Sequence, residues 1–186
     1  MSLKRFRTSR FFCFILLLAA LLPLGLIQSS FVQVSAQQRD FLTDKEADRV
    51  REAQEIDRRV LVFIKIIERR VSAITDPSAA NSKQALKDAE TWGALRTGTR
   101  AEMLSDIART LDAAITNIDE AATRAPQNPL AVKALRKLAE ASTQLLSTLT
   151  TMRPATTDET AREALEQALD NARTIIQAAS SLPAAK

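Results

Sequence analysis

Asp57 stands in a row of otherwise apolar residues spaced three or four apart: Val50, Ala53, Val60, Ile64, Ile67, Val71 and Ile74. A carboxylate there could bind a metal or a cationic ligand. It could equally fix helix register through an ion pair, because a buried carboxylate is costly unless it is paired. The structural role is the expectation, either as an ion pair or with Asp57 at the edge of the row while Ile56 turns inward. The remaining inventory narrows the chemistry further. Di-iron bundles draw on Glu-x-x-His pairs, and the chain has no histidine. Attachment of haem c needs Cys-x-x-Cys-His, and the one cysteine is Cys13. Zinc is disfavoured without either residue type, and no Asp-x-Asp-x-Asp-Gly loop offers itself to calcium. A serine nucleophile has neither a Gly-x-Ser-x-Gly elbow nor a histidine base. Paired carboxylates can hydrolyse glycosides, but acids at helical spacing beside Arg and Lys read as a solvated face. The expectation is a protein with no cofactor, no metal and no catalytic residue, not an enzyme.

A second group with chemistry to offer surrounds "VLVFIKII", residues 60 to 67. Charge-rich helical spacing continues on both sides, which predicts the waist of one long helix rather than a strand. Val60, Phe63, Ile64 and Ile67 then share the apolar face. At about 100° per residue Val62 and Ile66 project away from it, near Arg59, Arg69 and Arg70. Two fates are open to this second patch. Val62, Ile66, Arg59 and Arg70 could form an apolar surface with an arginine rim for a protein partner or a second copy of the chain. Alternatively the segment after Pro77, with Ala85, Leu86, Ala89 and Trp92, could fold back and cover it, and this is the favoured reading.

The elements that would position these residues follow from the punctuation. Beyond residue 36 the only glycines are Gly93 and Gly98, and the prolines are Pro77, Pro126, Pro129, Pro154 and Pro183. The intervals are rich in Ala, Leu, Arg, Lys and Glu, all strong helix formers. Thr43–Glu46, Thr99–Glu102 and Thr156–Glu159 each match a capping box, and Asn128–Pro129 matches an N-cap followed by proline at the first helical position. Helices are predicted near 44–75, 82–92, 100–124, 129–152 and 157–181. Three further apolar rows mark their inner faces: Leu104, Ile107, Leu111, Ala114, Ile118, Ala121; Ala131, Leu135, Leu138, Ser142, Leu145, Leu149, Met152; and Ala161, Leu165, Ala168, Ala172, Ile175, Ala179, Leu182. Such seams belong to helices crossing at shallow angles. The expected fold is all-α, an up-down four-helix bundle plus one short extra helix. Short connections should make the later helices antiparallel neighbours, with the basic helix at 129–152 between two acidic ones.

Residues 1–36 read as a secretory signal peptide. "MSLKRFRTSR" is basic, "FFCFILLLAALLPLGLI" is apolar, and "VSA" ends in a small-x-small site at Ala36. Left uncleaved, the same segment would anchor the chain in a membrane, although its apolar run is short against the roughly 20 residues of a span. Residues 37–186 would then form a single helical-bundle domain. The leader carries Lys4, Arg5, Arg7 and Arg10 and no acid, so the net charge of +4 vanishes with it and leaves 22 residues of each sign. A nucleic-acid partner therefore loses its electrostatic basis.

The stretch "FLTDKEADRVREAQEIDRRVLVFIKIIERR" resembles the start of uncharacterised exported bacterial helical proteins, a likeness that implies no activity. The resulting expectation is an exported non-enzymatic helical bundle, periplasmic or extracellular, acting through protein–protein contacts. The alternative is a periplasmic small-ligand or lipid carrier binding between the helices.

Overall fold

The computed structural model describes residues 40–78 and 82–182, which contain helices and loops and no strand. The expected leader at 1–36, with its cleavage site and Cys13, lies outside the described residues. The helices are α1 (Asp44–Glu52), α2 (Ile56–Thr75), α3 (Lys83–Trp92), α4 (Arg100–Arg124), α5 (Pro129–Met152) and α6 (Glu159–Ser180). The protein is all-α and has the character of a helical bundle.

Local chemistry accounts for most boundaries. Thr99 accepts from the Glu102 N–H, and the Glu102 carboxylate accepts in return from the Thr99 N–H at 2.7 Å. Thr43 and Glu46 make the same reciprocal pair at α1. Asn128 accepts from the Leu130 N–H, with Pro129 at the first position of α5. The capping box expected at Thr156–Glu159 does not form. Asp158 caps α6, accepting from the Ala161 N–H at 2.8 Å, while the Thr156 hydroxyl donates back to the Met152 carbonyl at 2.8 Å. Asp and Thr are both good caps, and here the threonine closes α5 instead of opening α6.

The single helix expected over 44–75 is also corrected, because the chain breaks between α1 and α2 at Ala53–Glu55. Ala53 leaves the helical region at ψ 85°, and Glu55 is extended. Arg59 stabilises the break by donating from Nε to the Ala53 carbonyl at 2.9 Å. Gln54 donates to the Arg51 carbonyl at 2.6 Å. Breaking here lets α1 fold back along α2, which brings Glu46 onto Arg70. A continuous helix would hold those two residues 24 positions apart in sequence and about 36 Å apart in space.

The four long helices share one core. It contains Val60 and Phe63 of α2, Leu104 and Leu111 of α4, Leu138 and Leu149 of α5, and Leu165 and Leu169 of α6. α2 packs on α4 and α5, and α6 also packs on α4 and α5. The expectation of adjacent later helices holds for α5 and α6 but not for α4 and α5, which touch each other far less than either touches α6 despite their short connection. The cause lies in the α6 seam. Ala161, Ala168 and Ala172 are buried, and small side chains let two helices approach α6 closely. The charge balance of α5 against its neighbours contributes too little at exposed pairs to override this packing.

Contacts also fix local directions. Asn171 of α6 donates to the Ala108 carbonyl of α4 at 2.9 Å, and the first residues of both helices line one shared depression, so these two run parallel. Asp57 at the start of α2 meets Lys133 near the start of α5, so α2 and α5 are parallel as well. Arg59 reaches Asn117 in the far half of α4 at 3.0 Å, so α2 and α4 run in opposite directions.

Candidate functional site

Asp57 is buried and paired. Its carboxylate lies 2.8 Å from Lys133 Nζ and 3.7 Å from Lys137 Nζ, both on α5. The hydrogen-bonded Lys133 ammonium holds the carboxyl below its ordinary value despite desolvation. Ile56, beside it, is buried too. Asp57 thus joins α2 to α5, the arrangement expected of a register-fixing ion pair.

The group Val62, Ile66, Arg59 and Arg70 does not form a surface patch. Ile66 and Arg70 are fully buried, Val62 is half-buried against the core, and Arg59 is spent on the Ala53 carbonyl and Asn117. The folded-back α1 changes the environment of this face, because it supplies a carboxylate that the sequence places far away. Arg70 makes a two-pronged contact with Glu46, at 2.8 and 2.6 Å, and donates to the Phe41 carbonyl at 3.2 Å. Its Nε lies 3.5 Å from Asp106 of α4, and Arg96 Nε lies 3.0 Å from the same oxygen. Arg69 donates to the carbonyls of Gly93 and Ala94 at 2.7 and 3.2 Å. Burial alone would raise the Glu46 carboxyl, but the hydrogen bonds from Arg70 and the Thr43 N–H outweigh it and hold it below its ordinary value. Two acids and three arginines from four parts of the chain thus pair with little access to water, although the Nε atoms of Arg69, Arg70 and Arg96 make no hydrogen bond. That arrangement suits a structural junction, since charges are stable inside a protein only when paired and hydrogen-bonded.

The expected cover from α3 forms in part. Trp92 is half-buried and packs against the core, whereas Leu86 is 62% exposed and covers nothing. Polar tethers hold α3 in place. Lys65 of α2 pairs with Asp88 at 3.4 Å, and Lys45 of α1 donates to the Glu90 carbonyl at 3.3 Å. Gly93 ends α3 at φ +77°, a conformation in which a side chain is strained, and Lys45 lies directly against it.

The feature that could hold a ligand lies between α2 and α5. A half-open cleft of about 320 Å³ runs along them, which is at the small end of ligand-pocket sizes. Ile64, Ile67 and Val71 form one wall, and Leu138, Ala141 and Leu145 form the other. Leu111 of α4 lies between the walls, and Glu68, Ser72, Thr75, Gln144 and Thr148 supply polar groups. Ser142 also lines the cleft. It is fully buried, and its hydroxyl has no hydrogen-bond partner. Other hydroxyls in these helices bond back one turn: Thr75 to Val71, Thr110 to Asp106, Thr143 to Ala139 and Thr148 to Gln144. Ser142 does not, and a buried hydroxyl without a partner costs about 1–3 kcal/mol.

Sequence reasoning singled out Asp57 and missed Ser142, Glu46, Asp106 and Glu68. The signal for Ser142 was present, since it occupies an apolar seam between Leu138 and Leu145. For Glu46 the capping box explained the residue too completely to suggest a second role. Among the described residues no group of three or more acids or cysteines could hold a metal ion, and no helix is long and apolar enough to cross a membrane. Comparisons with protein-family models, with curated proteins and with solved structures find no match to this chain.

Proposed function

We propose that the protein is an exported, non-enzymatic up-down four-helix bundle that carries a small apolar ligand in the cleft between α2 and α5. One observation carries this reading: a fully buried serine hydroxyl without a partner lines a cleft of ligand size whose two walls are apolar. Apolar walls with a few placed polar groups are the common build of small-molecule sites, and a ligand that bonds Ser142 would remove the penalty of its isolation. Export rests on the basic, apolar and small-residue order of residues 1–36. The non-enzymatic part rests on the absence of histidine and on the single cysteine at position 13. The up-down bundle is supported by the alternation of direction from α2 to α4 and by the shared direction of α4 and α6.

Action through protein–protein contacts, the other class considered from sequence, loses its motive. Of the residues that would have formed its surface, Ile66 and Arg70 are buried, Val62 is half-buried and Arg59 is bonded to Ala53 and Asn117. The test is to purify the protein from its native host under mild conditions and search for co-purifying small molecules by untargeted mass spectrometry. The same search is made with Ala141→Trp, which fills the cleft from a half-exposed wall position. The expected result is an apolar compound in stoichiometric amount with the unaltered protein and absent from the variant. A clean spectrum from both would sink the carrier reading.

A further inference from the structure

Among the described residues, Glu68 is the only ionisable one lining the α2–α5 cleft. The cations nearest it in sequence are engaged elsewhere: Lys65 pairs with Asp88, and Arg69 donates to Gly93 and Ala94. Across the cleft, Lys137 of α5 is drawn to Asp57. The cleft therefore combines apolar walls, Ile64 and Val71 against Leu138 and Leu145, with one buried hydroxyl and one exposed negative charge. We propose that its ligand is a cationic amphiphile, an aliphatic amine whose chain lies between α2 and α5 and whose ammonium meets the Glu68 carboxylate. This rests on the carrier reading and names the class of ligand. A fatty carboxylate of the same length is disfavoured, because its charge would meet Glu68 with no cation among the described residues of the cleft to offset the repulsion. A neutral alcohol takes the intermediate place, with the apolar contacts and no charge contact.

The test uses the full-length chain and three probes of equal chain length, octylamine, octanol and octanoate, titrated by calorimetry at neutral pH and low ionic strength. The expected order of affinity is octylamine, then octanol, then octanoate. Glu68→Gln should lower octylamine affinity about two- to fivefold, the range for an exposed ion pair, and should leave octanol unchanged. Added salt should narrow the amine's advantage in the unaltered protein. Ala141→Trp should abolish binding of all three. Octanoate binding as tightly as octylamine, or an amine preference that survives Glu68→Gln, overturns the cationic assignment and leaves the carrier reading standing. Absence of binding by every probe, or binding that persists in Ala141→Trp, overturns the carrier reading itself.

Discussion

At the scale of single residues, the most consequential side chain is Glu46. It caps α1 and also neutralises a fully buried arginine. Removing one member of a buried pair leaves the other charge uncompensated, so Glu46→Gln should destabilise the protein by about 3–5 kcal/mol in urea unfolding. The pH dependence has a defined sign. The folded-state value of Glu46 is depressed from its ordinary 4.5, so its contribution is fully present above that value. It is lost as pH falls through the lower folded value. Stability should therefore decline on acidification below about pH 4.5, and the decline should be shallower in Glu46→Gln. Ser142 offers the opposite case. Ser142→Ala removes an unpartnered buried hydroxyl, and the ligand-free protein should gain about 0.5–1 kcal/mol, read as a higher urea midpoint at unchanged slope. A loss of stability would show that the hydroxyl has a partner in solution.

At the scale of elements, three helices lay open in the sequence. α4, α5 and α6 have continuous seams, and most of the residues those seams selected are buried, although Met103, Ala108, Ala134, Ala139 and Leu169 are buried outside the predicted rows and the α6 cap is Asp158 rather than Thr156. The first helix was misjudged because nothing local announces the break at Ala53–Glu55. Neither Pro nor Gly occurs there, and Ala, Gln and Glu all favour helix. The break is a tertiary effect, stabilised by Arg59 within the chain and by the burial of Glu46 with Arg70 across it. The same fold-back gives Arg70 a buried carboxylate partner that periodicity alone could not supply. α3 is the loosest of the helices, with no buried residue of its own. Its attachment depends on side chains from α1 and α2, and Arg69 provides the strongest of these through Gly93 and Ala94. Arg69→Ala should therefore release the end of α3 and shift Trp92 fluorescence to the red. An unshifted spectrum would mean that apolar contact alone holds the tryptophan.

At the scale of the whole molecule, the core is one contiguous cluster drawn from α2, α4, α5 and α6. A single cooperative thermal transition is expected, accompanied by a strongly helical circular dichroism spectrum. Leu138 is fully buried, so Leu138→Asp should cost several kcal/mol by adding an unpaired buried charge and removing packing. The transition should not move when EDTA is added, since the described residues place no metal-ligating cluster. A large shift on chelation would reveal a site outside them. Fold class was legible because seam and cap signals agree. The order of helices around the core was not, because it depends on how closely the alanines of α6 let two neighbours approach, which no single helix records.

The parallel placement of α4 beside α6 governs how the chain reaches this state. Asn171 and Ala108 meet across 63 residues, and Arg59 and Asn117 across 58. An all-helical protein whose successive helices simply pair would close far shorter loops. Here the principal face of α4 finds its partner only after α5 has turned back and α6 is complete. That raises the contact order and should slow folding relative to other helical proteins of this length. The extra loop-closure entropy is small, about 0.6 kcal/mol per doubling of loop length. The larger effect is timing. During synthesis α4 and α5 can meet α2, but the faces that pack on α6 stay uncovered until α6, the last of the described helices, emerges. A nascent chain stopped before residue 159 should remain sensitive to protease, and resistance should arise in one step once α6 is free to dock.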